Sequence, residues 1–168
     1  PSLLGALAAG GRCLFLKDSL YQQTADSQAR SLLVSLAAKA TARPELFQQA
    51  ADTLKARLAA GEQLVPVSRS GALLIPHGSG LHRELQLWVQ AGVPPRDVLR
   101  AATSTAARLA GAGSRLGLIQ PGYEATLTIV DGNPVEDINA TARINFILSK
   151  GEHVLRQDMF ETVKERTK

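Results

Sequence analysis

Three side chains that could bind or transform a substrate lie close together in VSRSGALLIPHGSGLHREL, residues 67–85. His77 and His82 are candidate substrate-binding residues, because an imidazole can exchange protons near neutral pH. A structural alternative stays open for both, with His77 as a loop residue and His82 bonded to backbone at a helix start. Arg69 follows a short apolar run, and its permanent positive charge favours an anion over a metal cation. Glu84 is interpreted as a residue that the helix dipole favours near a helix N-terminus.

Metal-binding residues are sparse in this sequence. It contains His77, His82 and His153, the single Cys13, and no His-x-His pair. Zinc sites are built from three or four clustered ligands, so no metal ligand is predicted within this chain. Cys13 lies in an apolar run, where it indicates a small buried core residue and permits no intrachain disulfide.

Composition indicates a globular protein. The chain has 168 residues, of which 45% are hydrophobic and 20% charged, with a net charge of +4. Aromatic residues make up only 4% and no basic stripe is present, so no nucleic-acid partner is expected. A basic nucleic-acid-binding domain is nevertheless a competing hypothesis, and it would require steeply salt-dependent binding. No apolar span long enough for a membrane is found, and no membrane partner is expected.

The elements that position the candidate residues alternate between strand-like and helical patterns in the first half of the chain. Short apolar runs at residues 13–16 and Leu64–Val67 are typical of strands buried on both faces. Helices are predicted from Asp26 onward and from Pro44 to a stop at Gly61. Two more are predicted, one with Leu81, Leu85, Trp88 and Val89 on one face and a stop at Gly92, and one from Pro94-Pro95 with Val98, Leu99, Ala102, Ala106 and Leu109 inward.

Beyond residue 112 the pattern becomes mostly β. Strands are predicted at Leu116–Ile119 and Ala125–Val130, separated by a turn at Pro121-Gly122. A β-hairpin is predicted from Ile144–Leu148 and His153–Leu155, joined across Lys150-Gly151. The composition therefore places a domain boundary near residue 112 and a charged tail at 158–168.

Several segments carry a family resemblance: LHRELQLWVQAGVPPRDVLRAATSTAARLAG, SRLGLIQPGYEATLTIVDGNPVEDI and INFILSKGEHVLR. In this order and spacing they resemble the C-terminal region of the amidohydrolase superfamily, in its imidazolonepropionase-like and prolidase-like branch of metal-dependent hydrolases. The resemblance implies an α/β fold, made of the last strands and helices of a (β/α)8 TIM barrel plus the C-terminal strands of a small β-sandwich. Residues 1–112 would be the partial barrel and 113–157 the sandwich portion.

Two barrel-like strands cannot close a barrel, which needs about 200 residues or more. The sequence begins at Pro1 rather than methionine, so an upstream region, with any targeting signal, is expected and the localisation stays open. A missing N-terminal barrel segment or another chain is the expected partner. The intact protein is expected to be a homo-oligomer.

The resemblance also implies a chemistry, the hydrolysis of carbon–nitrogen bonds, non-peptide or dipeptide, by metal-activated water. Family members hold one or two divalent metals, such as zinc, through a His-x-His pair, two later histidines and an aspartate that ends the eighth strand. Arg69 occupies the place of that aspartate. The chain is therefore expected to bind no cofactor and to be inactive by itself. The alternative is a catalytically dead relative, a scaffold or anion-binding module.

Overall fold

The computed structural model describes residues 27, 28, 31, 34, 35, 44–68, 70 and 78–154. The chain forms two compact units, residues 1–94 and 95–168. The predicted strand at 13–16, Arg69, His77 and the predicted tail lie outside the described residues. The predicted domain boundary near residue 112 stays a prediction.

Helix α1, Pro44–Ala59, forms where its sequence pattern predicts it. Pro44 occupies the first position, where its missing N–H costs no hydrogen bond. Glu45 in the first turn and Arg57 in the last turn complement the helix dipole. The helix buries Ala51, which is 4% exposed. The five described residues between 27 and 35 are helical as well, in agreement with the helix predicted from Asp26.

Two helices of the first unit end at the glycines that the sequence indicates. Gly61 has φ 80° and Gly92 has φ 96°, a region that glycine adopts without strain. After each glycine the next N–H bonds back to the last helical turn, at 3.1 Å from Glu62 to Arg57 and 3.0 Å from Val93 to Trp88. This Schellman arrangement satisfies carbonyls that the helix leaves unpaired.

The segment Leu64–Val67 was predicted to form a strand, and that prediction is wrong. It lies between α1 and the next helix, but residues 62–68 carry no regular secondary structure. Hydrogen bonds to a neighbour define a strand, and none of the described residues lies alongside this segment as a partner strand. Val67 is accordingly 54% exposed.

Helix α2, Ser79–Gln90, buries a face that differs in part from the predicted one. Leu85 and Trp88 are buried as expected, but Leu81 is 38% exposed. Leu87 and the carboxylate-bearing Glu84 are buried instead. The buried stripe therefore runs along the side of the helix that carries Glu84.

In the second unit a helical stretch contains a wide turn. Helix α3, Pro95–Arg100, continues into a π-helical segment, Ala101–Thr105, and then into helix α4, Ala106–Leu109. Val98 is fully buried. Leu109 was expected inward but is 56% exposed, because the π turn rotates the helix that follows it relative to an unbroken α-helix.

A three-stranded antiparallel sheet completes the second unit, in the order β1, β2, β3. These strands are Leu127–Val130, Ile144–Ser149 and Glu152–Val154. A 3₁₀ helix, Ile138–Ala142, connects β1 to β2. The predicted strand at Leu116–Ile119 is absent, and residues 116–118 form bends instead. Gly117 has φ 93°, which a strand cannot accommodate.

The hairpin between β2 and β3 confirms the predicted turn. Lys150 has φ 53° and Gly151 has φ 87°, so both central residues adopt positive φ as in a type I′ turn.

Within the described ranges, no helix is long and apolar enough to cross a membrane.

Candidate functional site

Of the three side chains predicted for the site, the structure describes His82. It lies near the start of α2 and is half-buried. Arg69 and His77 lie outside the described residues, so their predicted roles stay predictions. Next to Arg69, the backbone N–H and the hydroxyl of Ser70 both donate to the hydroxyl of Ser68, at 3.3 and 3.0 Å.

A pocket of about 330 Å³ lies between α1, residues 64–67 and α2. Its walls are mostly apolar and include Phe47, Leu54, Leu64, Val65, Leu87 and Trp88. Three polar residues, Thr53, Arg57 and Glu84, also line it. The size is within the range of small-molecule pockets, which are commonly apolar with a few polar groups.

Glu84 is the buried charged residue of this pocket. Its side chain is 4% exposed, and Oε1 accepts a hydrogen bond from Nε1 of Trp88 at 3.2 Å. Oε2 is buried without a hydrogen-bond partner among the described residues. Burial raises the pKa of Glu84, because desolvation disfavours its charged form, and the Trp88 hydrogen bond offsets this in part.

The expected dipole-favoured position of Glu84 at the helix N-terminus is therefore wrong. Glu84 lies in the second turn of α2, and Gly78, with φ 87°, precedes the helix without a side-chain cap. Glu84 and Trp88 are four residues apart and so share one helix face, as the sequence spacing already shows. The pair was missed because a glutamate near a helix start was assigned to the helix N-terminus by its charge.

Two arginines carry positive charge beside the pocket helices, Arg57 on α1 and Arg83 on α2. Arg57 forms an ion pair with Glu62, with Nη2 and Nε at 2.6 and 2.8 Å from Oε2. The Glu62 hydrogen bond raises the pKa of Arg57. Burial lowers the pKa of Arg83, whose Nε has no partner within the described part of the chain. Its Nη1 donates to Gln86 at 3.1 Å.

The described residues do not fit a catalytic metal. Among them, no three His, Cys, Asp or Glu side chains are grouped as metal ligands would be. Glu84 alone among the pocket-lining residues belongs to these types. A divalent metal needs several such ligands at once, so the described side chains do not by themselves form a site for one.

The sequence matches the amidohydrolase family over residues 47–155, well over half of its length. The chain belongs to the amidohydrolase family. Family membership confirms the resemblance seen in the sequence, and the mixed helix and strand fold of the chain is compatible with it. No similar protein is found among curated proteins.

Solved structures support this amidohydrolase assignment. A Xaa-Pro dipeptidase with bound methionine in its active site is 27% identical, with a TM-score of 0.57 over 62% of this chain. A proposed prolidase from Bifidobacterium longum is 25% identical, with a TM-score of 0.56 over 65% of this chain. The chain spans only 25% and 28% of the lengths of these two proteins.

Proposed function

We propose that this chain is the C-terminal part of a metal-dependent amidohydrolase that hydrolyses carbon–nitrogen bonds. The observation that carries the proposal is the family match over residues 47–155, together with the similarity to two prolidase-like proteins. In this proposal residues 1–112 contribute the last strands and helices of a (β/α)8 barrel. Residues 113–157 contribute strands of a β-sandwich, of which the sheet β1–β3 would be a portion.

Catalysis in this proposal requires residues from outside the chain. By the family resemblance Arg69 stands where the metal-binding aspartate is expected, and an arginine offers no lone pair to a cation. The sequence contains no His-x-His pair. A further barrel segment, upstream or on another chain, would supply the histidines, and intact copies would assemble as a homo-oligomer.

The first substrate class to test is a dipeptide that ends in proline. The similar Xaa-Pro dipeptidase supports this choice, since it is named for that substrate. His77 and His82 would then contact substrate at the mouth of the barrel, because barrel enzymes bind substrate on loops at this end. His82 is half-buried on α2, which leaves part of its side chain accessible.

The experiment compares this chain with the longer protein that the proposal requires. Alanyl-proline hydrolysis and bound metal are measured for each after incubation with Zn²⁺ or Mn²⁺, with an authentic Xaa-Pro dipeptidase as the positive control. The expected result is no turnover and no stoichiometric metal in the 168-residue chain, and both in the longer protein.

Two outcomes would contradict the proposal. Metal-dependent turnover by the 168-residue chain alone would show that the site is complete within it. A longer protein that binds no metal unless Arg69→Asp is introduced would instead favour the catalytically dead alternative, a scaffold or anion-binding module. Binding of inorganic phosphate that is lost in Arg69→Gln would then identify the anion site.

A further inference from the structure

The pocket between α1, residues 64–67 and α2 has mostly apolar walls and no polar group that is both buried and open to a ligand. We propose that it binds one small, neutral, apolar molecule of the alkylbenzene class. Its described lining residues include none of the predicted site residues. The proposal therefore does not depend on the proposed hydrolytic function.

The volume of the pocket limits what can occupy it. An apolar cavity of about 150 Å³ holds a benzene molecule. At about 330 Å³, this pocket accommodates a benzene ring with a short alkyl substituent. One turn of an α-helix with its side chains occupies roughly 400 Å³, so a helix of a partner protein does not fit inside. The size therefore favours a small molecule.

Apolar side chains from three segments form the walls of the pocket. They are Phe47 and Leu54 on α1, Leu64 and Val65 in the segment that follows, and Leu87 and Trp88 on α2. Covering such side chains removes apolar surface from water, which is favourable. An aromatic ligand can also pair with the indole of Trp88 in an offset or edge-to-face arrangement.

The polar lining residues offer no buried group with which a ligand could pair. The Thr53 hydroxyl donates to a backbone carbonyl of its own helix at 2.8 Å. The half-exposed Arg57 is paired with Glu62 at 2.6 Å. Oε1 of Glu84 accepts the hydrogen bond from Trp88, and Oε2 is closed off from solvent and therefore from the pocket.

These contacts set the polarity of the ligand. A charged or hydrogen-bonding group that enters the pocket loses its water shell and finds no buried partner among the described lining residues. A hydrocarbon of the same size loses no hydrogen bond on entry. The pocket should therefore select against polar groups.

The ligand series uses three molecules of nearly equal size: ethylbenzene, benzyl alcohol and benzylamine. Trp88 is the single tryptophan of the chain and lines the pocket, so its fluorescence reports occupancy. At pH 7 ethylbenzene is expected to bind at least tenfold more tightly than benzyl alcohol, and the charged benzylamine should not bind. Equal affinities, tighter binding of benzylamine or no response to ethylbenzene would overturn the proposal.

The variant Ala50→Leu tests the location of the site, because Ala50 lines the pocket and a larger side chain there fills it. Ala56→Leu is the matched control, since Ala56 is exposed on the same helix and is not among the lining residues. Ala50→Leu should lose at least tenfold in ethylbenzene affinity, whereas Ala56→Leu should bind as the wild type does. Unchanged affinity in a folded Ala50→Leu chain, checked by circular dichroism, would refute the proposal. If Ala50→Leu does not fold, the wild-type ligand series decides.

A longer protein that contains this chain provides a second test. Ethylbenzene should bind to it with the affinity measured for the 168-residue chain. Loss of binding in the longer protein would show that one of its own segments fills the pocket, and would overturn the proposal of a free ligand.

Discussion

Nε1 of Trp88 donates a hydrogen bond of 3.2 Å to Oε1 of Glu84, one turn earlier on α2, and both side chains are buried. This bond satisfies one oxygen of a carboxylate that lies in a mostly apolar pocket wall. Burying a charged group is costly unless it is paired, so the indole partly offsets a destabilising feature. The pair therefore links the stability of the first unit to the protonation of Glu84.

Trp88→Phe should destabilise the protein because it removes the donor to a buried acceptor while keeping an aromatic ring. Leaving a buried polar atom unsatisfied costs about 1–3 kcal/mol. Urea unfolding followed by far-ultraviolet circular dichroism measures the change in the free energy of unfolding. The control is the same substitution in a Glu84→Leu background, where the acceptor is gone and the loss should be smaller. An equal loss in both backgrounds would assign the effect to packing alone.

Glu84 should make the protein less stable as the pH rises. Burial raises its pKa in the folded state above the unfolded value of about 4.3. Between these two values the folded state holds a proton that the unfolded state has lost, so raising the pH favours unfolding. Above the folded pKa this loss is complete. Each unit by which the pKa is raised corresponds to about 1.4 kcal/mol.

Glu84→Gln should remove the loss of stability that the ionisation of Glu84 causes as the pH rises. The free energy of unfolding, measured in urea at pH 5 and pH 8, should fall less with pH in Glu84→Gln than in the wild type. Asp137 has the opposite trend at lower pH, because hydrogen bonds, first from the Asn139 backbone, lower its pKa. The comparison therefore uses differences between proteins. Glu45→Gln should keep the wild-type profile, and parallel profiles for Glu84→Gln and wild type would contradict the prediction.

Gly117→Ala should strongly destabilise the second unit. Gly117 has φ 93°, and a Cβ there would lie 2.8 Å from Ser104 Cα and from Ala107 Cβ. Backbone strain and overlap act together, so the expected loss exceeds about 1 kcal/mol. Gly122→Ala is the matched control, with φ 89° but open space around its Cβ. Thermal unfolding should show the larger loss for Gly117→Ala, and equal losses would exclude the close approach as a cause.

Lys150→Asn should stabilise the hairpin between β2 and β3. Lys150 has φ 53°, a conformation that asparagine adopts more readily than lysine. The backbone N–H of Lys150, which donates to Thr126 Oγ1 at 3.2 Å, is kept. A gain of up to about 1 kcal/mol is expected in urea unfolding. Lys150→Val should lose stability instead, because its branched side chain disfavours positive φ; a Lys150→Asn chain less stable than wild type would contradict the prediction.

The sequence predicted correctly those elements whose ends or turns are set by one or two local residues. Pro44 and Gly61 fixed the limits of α1, and Lys150-Gly151 fixed the turn of the hairpin. The strand expected at Leu64–Val67 failed because strand formation depends on a partner elsewhere, which an apolar run does not reveal. The inward position expected for Leu109 failed because regular α-helical spacing was assumed across a π turn.

The predicted site residues stay predictions, whereas the buried Glu84 of the pocket was not foreseen. Histidines and an arginine were singled out by chemical type, but of these the structure describes His82, half-buried on α2. Glu84 was assigned to the helix start, although its spacing to Trp88 places both on one face. Whether a carboxylate near a helix start is buried depends on what packs against it, here the pocket wall that includes Leu64 and Val65.

The π-helical segment Ala101–Thr105 has a consequence for how the family varies in length. Its hydrogen bonds join residues five apart instead of four, so this turn accommodates one residue more than an ordinary helical turn. A relative without that residue could keep a continuous α-helix from the counterpart of Pro95 to that of Leu109. Single-residue insertions and deletions between family members should therefore fall at this turn, where the extra residue needs no new loop.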